Sequence, residues 1–334
     1  MSHEHPVTRR AFIAAGATAA AAAAAAAAGL AGCAGAVGAS SGAPTALPRP
    51  SLAESLGHPA RTPLLIVHAD DVGIAASANA ATIGAFERGL IDSASAMVPC
   101  PAFGAFADWA RRRGGVDMGV HLTFTSQPSQ RWAPLAGARR VPSLVDDDGM
   151  LPVQWTKERT VRADEVETEI RAQIAVARDR GLDLTHLDGH QHLAQLRSAE
   201  VFAVLLRVAR DERLPFRFAR AWTARAPYAT SEALTATVPL EQLIAISPGN
   251  ASDAAWTEWY ASRVRALPSG LSELFVHLGI ADDELRAVVP DSAHWGAAWR
   301  ERDLAAVSSP TFAAAVRDAG AVRIGWREVR DYLN

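Results

Sequence analysis

The sequence contains little cysteine and no large excess of positive or negative charge. Its two cysteines, Cys33 and Cys100, are too few for a disulfide framework or for a zinc site made of cysteine ligands. The formal net charge is −3, and no block rich in lysine or arginine is present to neutralise phosphates, which argues against a nucleic-acid partner. The short run Arg111-Arg112-Arg113 is followed by two glycines, so it is interpreted as the solvated end of a helix rather than as a binding patch.

What the sequence does contain is enough apolar material for a large α/β domain. Its 334 residues, 49% of them hydrophobic, can bury a substantial core. Short apolar runs, typical of strands buried on both faces, alternate with segments of helical periodicity. The runs predicted as strands are 63–69, 93–98, 118–122, 184–190, 216–218, 274–277 and 322–324. This alternation predicts parallel strands joined by right-handed crossovers, in an α/β fold that is a barrel or partial barrel.

Local signals predict where three helices begin or end. A helical pattern that follows residue 73 is expected to stop at Gly89. The next helix is predicted to begin at Asp164, with Glu167 completing a capping box, and to stop at Gly181. A further helix is expected to follow from Ser198.

The first residues have the pattern of an export signal. Residues 8–13, which include a pair of arginines, precede an alanine-rich apolar stretch from Ala14 to Ala28. A positive start, an apolar centre and small residues near a cleavage site define a secretory signal, and the arginine pair indicates twin-arginine export. The string Leu30-Ala31-Gly32-Cys33 is similar to a bacterial lipobox, which predicts a lipid on Cys33. The alternatives are an ordinary alanine-rich helix or a membrane span, although the stretch barely reaches the roughly 20 residues that a span needs.

These features divide the chain into three parts. Residues 1–33 are predicted to be a twin-arginine, lipoprotein-type signal peptide, and residues 34–60, rich in Gly, Ser, Ala and Pro, a flexible linker. The folded domain is expected to span residues 61–334. The predicted location is the periplasm or the cell envelope, with membrane contact only through the lipid anchor. The oligomeric state stays open, and a homodimer is among the options.

Polar residues that can bind metals or move protons cluster where the predicted strands end. They are Asp70 and Asp71 after the first strand, His121 in the third, Asp188 and His190 in the fourth, and His277 in a late one. Because the carboxyl ends of parallel strands in a barrel meet on one face, these side chains are expected to share a site. One carboxylate and two imidazoles make a three-ligand metal site with open positions for water and substrate, and Asp71, His121 and His190 are the predicted ligands.

Residues 188–192 hold an acid and two imidazoles close together, which favours a metal site over coincidence. Asp188 and His190 lie on the same face of a strand, so Asp188 is a candidate partner for a ligating histidine. His192 is either a fourth ligand or a loop residue. Structural alternatives stay open for single motifs, because an Asp-Asp-x-Gly string is often a turn and a lone His121 in an apolar strand is often a packed histidine.

The two adjacent aspartates could have different roles, one as a metal ligand and the other as a general base. While Asp71 binds the metal, Asp70 stays free to take a proton from the metal-bound water. His277, across the site, would protonate a departing amine. Either Arg217 or Arg220 would hold Asp70 in place through a charge-assisted hydrogen bond.

The same segments carry a resemblance to a known family. Residues 65–73 (LIVHADDVG), 119–123 (GVHLT), 185–192 (THLDGHQH) and 273–279 (ELFVHLG) resemble motifs of the YdjC-like carbohydrate deacetylases, the family of chitooligosaccharide deacetylase. The resemblance spans about residues 62–330. It implies a distorted (β/α) barrel of the glycoside hydrolase/deacetylase type and one divalent metal ion, zinc or magnesium. The implied reaction removes acetyl groups from N-acetylated sugars by metal-activated water.

The family also implies roles for individual residues. Metal binding belongs to the positions that match Asp71, His121 and His190. By analogy with the NodB-like deacetylases, Asp70 would be the base and His277 the acid. Donor chemistry alone leaves zinc, iron, manganese and, less comfortably, magnesium open.

The sequence departs from the family pattern beside these residues. The family usually has Phe where Val72 stands, Ser where Gly189 stands and Pro where Leu278 stands, and it often has histidine at the position of Ala194. These departures leave the ligands in place and alter the wall of the pocket. The expected substrate is therefore an oligosaccharide or glycan, and chitooligosaccharide is not assumed.

One long insertion offers candidates for sugar binding. The polar segment from Thr123 to about Arg162, rich in Pro and Gly, is too long for a simple connection and is typical of a lid or binding loop. It contains Trp132 and Trp155, which would either stack on sugar rings or pack against the domain.

Two other functions remain alternatives. Fold and metal do not determine which bond is broken, so an O-acetyl esterase or a phosphoesterase on the same scaffold is one of them. The other is a non-catalytic envelope protein that binds glycans through a vestigial site, although the intact set of candidate ligands and catalytic residues argues against it.

Overall fold

The computed structural model of the protein describes residues 49–155, 160–192, 198–224, 237–245 and 252–334. The predicted signal peptide, the lipidation site Cys33 and residues 34–48 of the predicted linker lie outside the described residues. The folded unit spans Arg49–Asn334 and thus begins earlier than the boundary at Arg61 that composition indicates. The extra residues join the domain because the Tyr332 hydroxyl donates to the Pro50 carbonyl (2.8 Å) and Leu52 packs in the domain's interior. Within the described residues, we find no helix with the length and apolar character needed to cross a membrane.

Parallel strands form the centre of the domain. They are β1 (Pro63–Val72), β2 (Ser93–Ala96), β3 (Met118–Leu122), β4 (Leu184–Gly189), β5 (Gln242–Ile244), β6 (Gly270–His277) and β7 (Val322–Arg323). The sheet has the order β4-β3-β2-β1-β6-β5, and β7 pairs with the first residues of β1. Two isolated parallel bridges, Leu187 with Phe216 and Ala219 with Leu240, connect β4 through residues 216–219 to the chain entering β5. The sheet thereby curves into a distorted (β/α) barrel, and the predicted fold class is confirmed.

Helices surround the strands and follow them in sequence. They are α1 (Leu52–Ser55), α2 (Ala76–Glu87), α3 (Phe103–Arg113), α4 (Ala163–Asp179), α5 (Ala199–Glu212), α6 (Asp253–Arg265), α7 (Asp283–Val288), α8 (Ala297–Val307), α9 (Pro310–Asp318) and α10 (Trp326–Leu333). Short 3-10 turns span Pro142–Leu144, His190–His192 and Arg220–Ala224.

The structure confirms most of the predicted helix ends. Gly89 follows α2 with φ +64°, in the left-handed conformation that favours glycine after a helix, and Ser198 accepts a hydrogen bond from the Val201 amide at the start of α5 (3.2 Å). The predicted capping box of α4 is wrong. Arg162 occupies the N-cap position and makes no side-chain cap bond, while Glu167 instead pairs with Arg171 and Arg207.

The side chains on the two faces of the barrel strands belong to different hydrophobic clusters. On β1, Leu65, Val67 and Ala69 belong to the main hydrophobic cluster, which packs against the surrounding helices. Leu64 and Ile66 belong to a smaller cluster inside the barrel, at the amino-terminal ends of the strands. Further along the strands, the inward positions become polar. The apolar cluster therefore fills one end of the barrel, and the chemistry lies at the other.

Candidate metal and catalytic site

The carboxyl ends of β1, β3, β4 and β6 bring the predicted site residues together. Asp70, Asp71, His121, Asp188, His190 and His277 are all buried. Side chains alternate along a strand, so Asp70 and Asp71 would ordinarily face opposite ways. Asp71 has φ +62°, a left-handed conformation that aspartate tolerates better than most residues. This local turn brings both carboxylates into the same site.

The three predicted metal ligands present their donor atoms to one another. Asp71 Oδ1 lies 3.2 Å from His121 Nε2 and 2.9 Å from His190 Nδ1. Separations near 3 Å are expected between donors that each lie about 2.0–2.2 Å from a shared ion. His190 Nε2 is buried and has no hydrogen-bond partner among the described residues. The donor set and its spacing therefore fit a divalent metal.

A buried carboxylate orients the ligand His121. His121 Nδ1 lies 2.8 Å from Asp188 Oδ1, and Ser95 donates to the other oxygen of Asp188 (2.8 Å). This contact leaves His121 Nε2 facing Asp71, as in metal sites where a carboxylate holds the second nitrogen of a ligating histidine. Burial opposes protonation of His121, yet Asp188 and Asp70 raise its pKa to about 10. The pocket thus favours positive charge at this position.

Asp70 is held separately, by the guanidinium of Arg217. Both terminal nitrogens of Arg217 donate to the Asp70 carboxylate, at 2.7 and 2.8 Å. Burial would raise the pKa of Asp70, but Arg217 and His121 outweigh it, and the carboxylate is ionised at neutral pH. Arg220, the alternative partner, does not reach Asp70. It lies in the 3-10 turn Arg220–Ala224, directly after residues 216–219, and donates to Glu241 at the surface (2.7 and 3.0 Å).

Two buried residues that the sequence analysis missed, Glu273 and His68, extend this network. Arg217 Nη2 lies 2.9 Å from Asp188 Oδ2 and 2.6 Å from Glu273 Oε1. His68 Nε2 lies 3.2 Å from Asp70 Oδ1 and 3.4 Å from Asp188 Oδ2. Burial and Arg217 lower the pKa of His68, but Asp188 and Asp70 outweigh them and raise it to about 9. His68 lies two positions before Asp70 on β1, and Glu273 lies four positions before His277 on β6. This even spacing places each residue on the same side of its strand as a site residue, which is the signal that could have found them.

His277 approaches Asp71 from the end of β6. Its Nε2 lies 3.7 Å from Asp71 Oδ2, and its backbone amide donates to Asp303, which also accepts from Trp256 and Tyr260. Burial and the nearby Arg300 outweigh the carboxylates and lower the pKa of His277 to about 3. The imidazole is therefore neutral at neutral pH, so a role as acid requires that it first gains a proton within the reaction cycle.

Arg300 of α8 is a further site residue that the sequence analysis missed. Its side chain is buried, and Nη2 donates to Asp71 Oδ2 (2.6 Å). Its Nε donates to the carbonyl of Trp295 (2.9 Å). No motif marks Arg300, because it lies on a helix far along the chain from the aspartate that it contacts.

The two tryptophans predicted as possible sugar-binding residues differ in burial. Trp132 is buried, and its indole nitrogen donates to the Thr125 carbonyl (2.9 Å), so of the two predicted alternatives it packs against the domain. Trp155 is half-buried against the main hydrophobic cluster, and its role stays a prediction. The side chain of His192 and the whole of Ala194 lie outside the described residues.

Comparisons with known proteins agree with this architecture. The family described as YdjC-like protein matches residues 64–318. A protein of Thermus thermophilus named carbohydrate deacetylase is 33% identical over 290 residues, which cover 84% of this chain and 99% of that protein. A protein of Geobacillus stearothermophilus with the same name is 34% identical over 160 residues, 48% of this chain and 60% of its own length. In the similarly named protein of Brevibacillus brevis the match covers 58% of its length, so the chain spans little more than half of these two relatives.

A solved structure supports the fold. A protein from Enterococcus faecalis V583, proposed to cleave cellobiose phosphate, superposes with a TM-score of 0.68 at 24% identity, over 79% of this chain and 98% of that one. This likeness concerns the fold alone. Because the family match covers most of the described domain and the Thermus relative aligns over nearly its whole length, the chain belongs to the YdjC-like protein family.

Proposed function

We propose that the protein is a metal-dependent carbohydrate deacetylase, a hydrolase that removes acetyl groups from N-acetylated sugars. The observation that carries the proposal is the separation of two adjacent carboxylates. Asp71 faces His121 and His190, whereas Asp70 is held by Arg217. The name carbohydrate deacetylase that the relatives carry supports the same reaction class.

The residues that would hold the metal are Asp71, His121 and His190. One carboxylate and two imidazoles suit zinc, iron or manganese, and magnesium less comfortably. A divalent ion there would supply a Lewis acid that polarises the acetyl carbonyl and lowers the pKa of water. Asp188 would keep His121 oriented toward the ion.

The remaining groups divide the proton transfers. Asp70 is ionised and both of its oxygens are held by Arg217, and a carboxylate has lone pairs left for one more donor. It is the proposed acceptor of the proton from the attacking water. His277 is neutral at the start, so it would take up a proton from solvent and deliver it to the nitrogen of the departing sugar amine as the C–N bond breaks, while the proton on Asp70 would return to solvent. Both groups therefore begin and end the reaction in the protonation states that the site favours, Asp70 ionised and His277 neutral.

The test compares hydrolysis of an N-acetyl amide, an O-acetyl ester and a phosphate ester. The full chain, loaded with zinc or manganese, is incubated with short N-acetylglucosamine oligomers, an O-acetylated sugar and a sugar phosphate, and acetate and phosphate are measured. We expect acetate from the N-acetyl substrates, which a chelator prevents. Turnover of only the O-acetyl sugar or the phosphate would replace the proposal with an esterase or a phosphoesterase. Saturable glycan binding without any turnover would favour a glycan-binding protein.

We further propose that the chain is exported to the cell envelope and lipid-anchored at Cys33. The support is the arginine pair, the apolar stretch and the lipobox within residues 1–33. In fractionated bacterial cells, the full chain is expected with the membranes, and the Cys33→Ala variant in the soluble envelope fraction. Recovery of both proteins from the cytoplasm would contradict the export proposal.

A further inference from the structure

An indole ring stands beside the candidate acid, in the turn between α7 and α8. The ring of Trp295 lies 5.0 Å from the His277 ring, centroid to centroid, at an interplanar angle of 30°. Trp295 is only partly buried, and its neighbour His294 is exposed. Part of Trp295 is therefore accessible to solvent beside the candidate acid.

The backbone at Trp295 is held in an unfavourable conformation. Trp295 has φ +58°, in the left-handed region that bulky residues rarely adopt. The next residue, Gly296, has no room for a side chain, because an added Cβ would lie 2.1 Å from the Pro290 carbonyl oxygen. Strain of this kind costs about 1–3 kcal/mol and tends to persist at ligand-binding positions. The tight turn thus holds the indole in a position that an ordinary loop would not give it.

The same turn is tied to the metal site through Arg300. The guanidinium donates to the Trp295 carbonyl (2.9 Å) and to Asp71 Oδ2 (2.6 Å), and Arg300 itself is buried. The position of the indole is therefore coupled to the predicted metal ligand by two hydrogen bonds from one side chain.

We propose that Trp295 is the surface on which the sugar ring rests during the reaction, with Arg300 as the residue that positions it. This inference rests on the proposed function, because it assigns the glycan substrate of that same site. The apolar C–H face of a pyranose ring packs favourably on a flat indole, which offers a large contact area at a small loss of conformational freedom. Trp295 would take the place that the buried Trp132 cannot fill.

The test separates glycan binding from turnover. Binding of short N-acetylglucosamine oligomers to the metal-loaded full chain is measured by calorimetry in an Asp70→Asn background, in which turnover is expected to be slow enough for binding to be measured. Adding Trp295→Ala is expected to weaken binding by about tenfold or more, and Trp295→Phe, which keeps a smaller aromatic face, by less. The matched control is Trp259→Ala, because Trp259 is also half-buried but lies on α6 against Tyr260 and Arg263.

In the Asp70-intact proteins, Trp295→Ala is expected to raise KM much more than it lowers kcat. Metal content and thermal melting of each variant verify that the site is still formed, and Trp295→Phe provides a folded variant if the alanine variant is unstable. Equal binding by the parent and by both Trp295 variants would overturn the inference while leaving the proposed function intact. Absence of glycan binding and of acetate release in the parent proteins would overturn both.

Discussion

Replacing Asp71 by asparagine is expected to remove the bound metal and to lower acetyl hydrolysis by about a thousandfold or more. Asp71 Oδ1 is the atom that approaches both His121 and His190, and a neutral amide oxygen is a far weaker ligand for a divalent cation. The loss of the ion removes several kcal/mol of transition-state stabilisation. Metal content after dialysis and kcat/KM for an N-acetyl substrate measure the two effects.

Asparagine is the appropriate substitution because Asp71 also accepts a hydrogen bond from the buried Arg300. An amide keeps that bond, whereas alanine would leave the buried guanidinium with the Trp295 carbonyl and without an acceptor at position 71, and would destabilise the fold. Asp164→Asn is a matched control, since Asp164 is an exposed carboxylate that pairs with Arg162. An Asp71→Asn protein that retains one ion per chain and the wild-type rate would show that Asp71 is not a ligand.

The Asp70→Asn variant is expected to keep its metal and to lose about 10²–10⁴-fold in kcat. The loss has the size of a missing general base, because the amide cannot accept the proton. The metal should stay, because the bidentate contacts of Asp70 are with Arg217 rather than with the ligand set. Rapid-quench or steady-state kinetics give kcat, and elemental analysis gives the metal content.

This pair of variants also distinguishes two ligand sets. Asp70, His121 and Asp188 form another group whose donor atoms lie within 4.8 Å of one another. Arg217 lies against both of those carboxylates, so its positive charge disfavours a cation there. If Asp70→Asn loses the metal while Asp71→Asn keeps it, the ion lies in this second group and the assigned roles of the two aspartates are reversed.

The parts of the site that sequence reasoning located are those at strand ends. Parallel strands present their carboxyl ends on one face of a barrel, so a polar residue that follows an apolar run has a predictable destination. Asp70, His121 and His277 were located in this way. The strand β3 was predicted with its observed bounds, Met118–Leu122, because a short run between helices leaves little freedom in its ends.

The residues that sequence reasoning missed depend on contacts between distant parts of the chain. Arg300 is an ordinary arginine within a helical pattern, and only the packing of α8 against the site brings it to Asp71. The position of Trp295 depends on its left-handed backbone conformation, which no motif in the sequence predicts. Trp132 shows the same dependence, since the sequence left open whether it stacks on sugar or packs against the domain, and its burial follows from the packing of the insertion.

Metal titration of the chelated protein tests whether acetyl hydrolysis depends on a divalent ion bound through Asp71. The full chain is freed of metal, zinc or manganese is added back in known amounts, and acetate release from N-acetylglucosamine oligomers is followed against the amount of ion bound. We expect no activity without metal and a linear rise to a plateau at about one ion per chain, a response that Asp71→Asn lacks. Full activity in the metal-free protein, or an identical response from Asp71→Asn, would contradict this expectation.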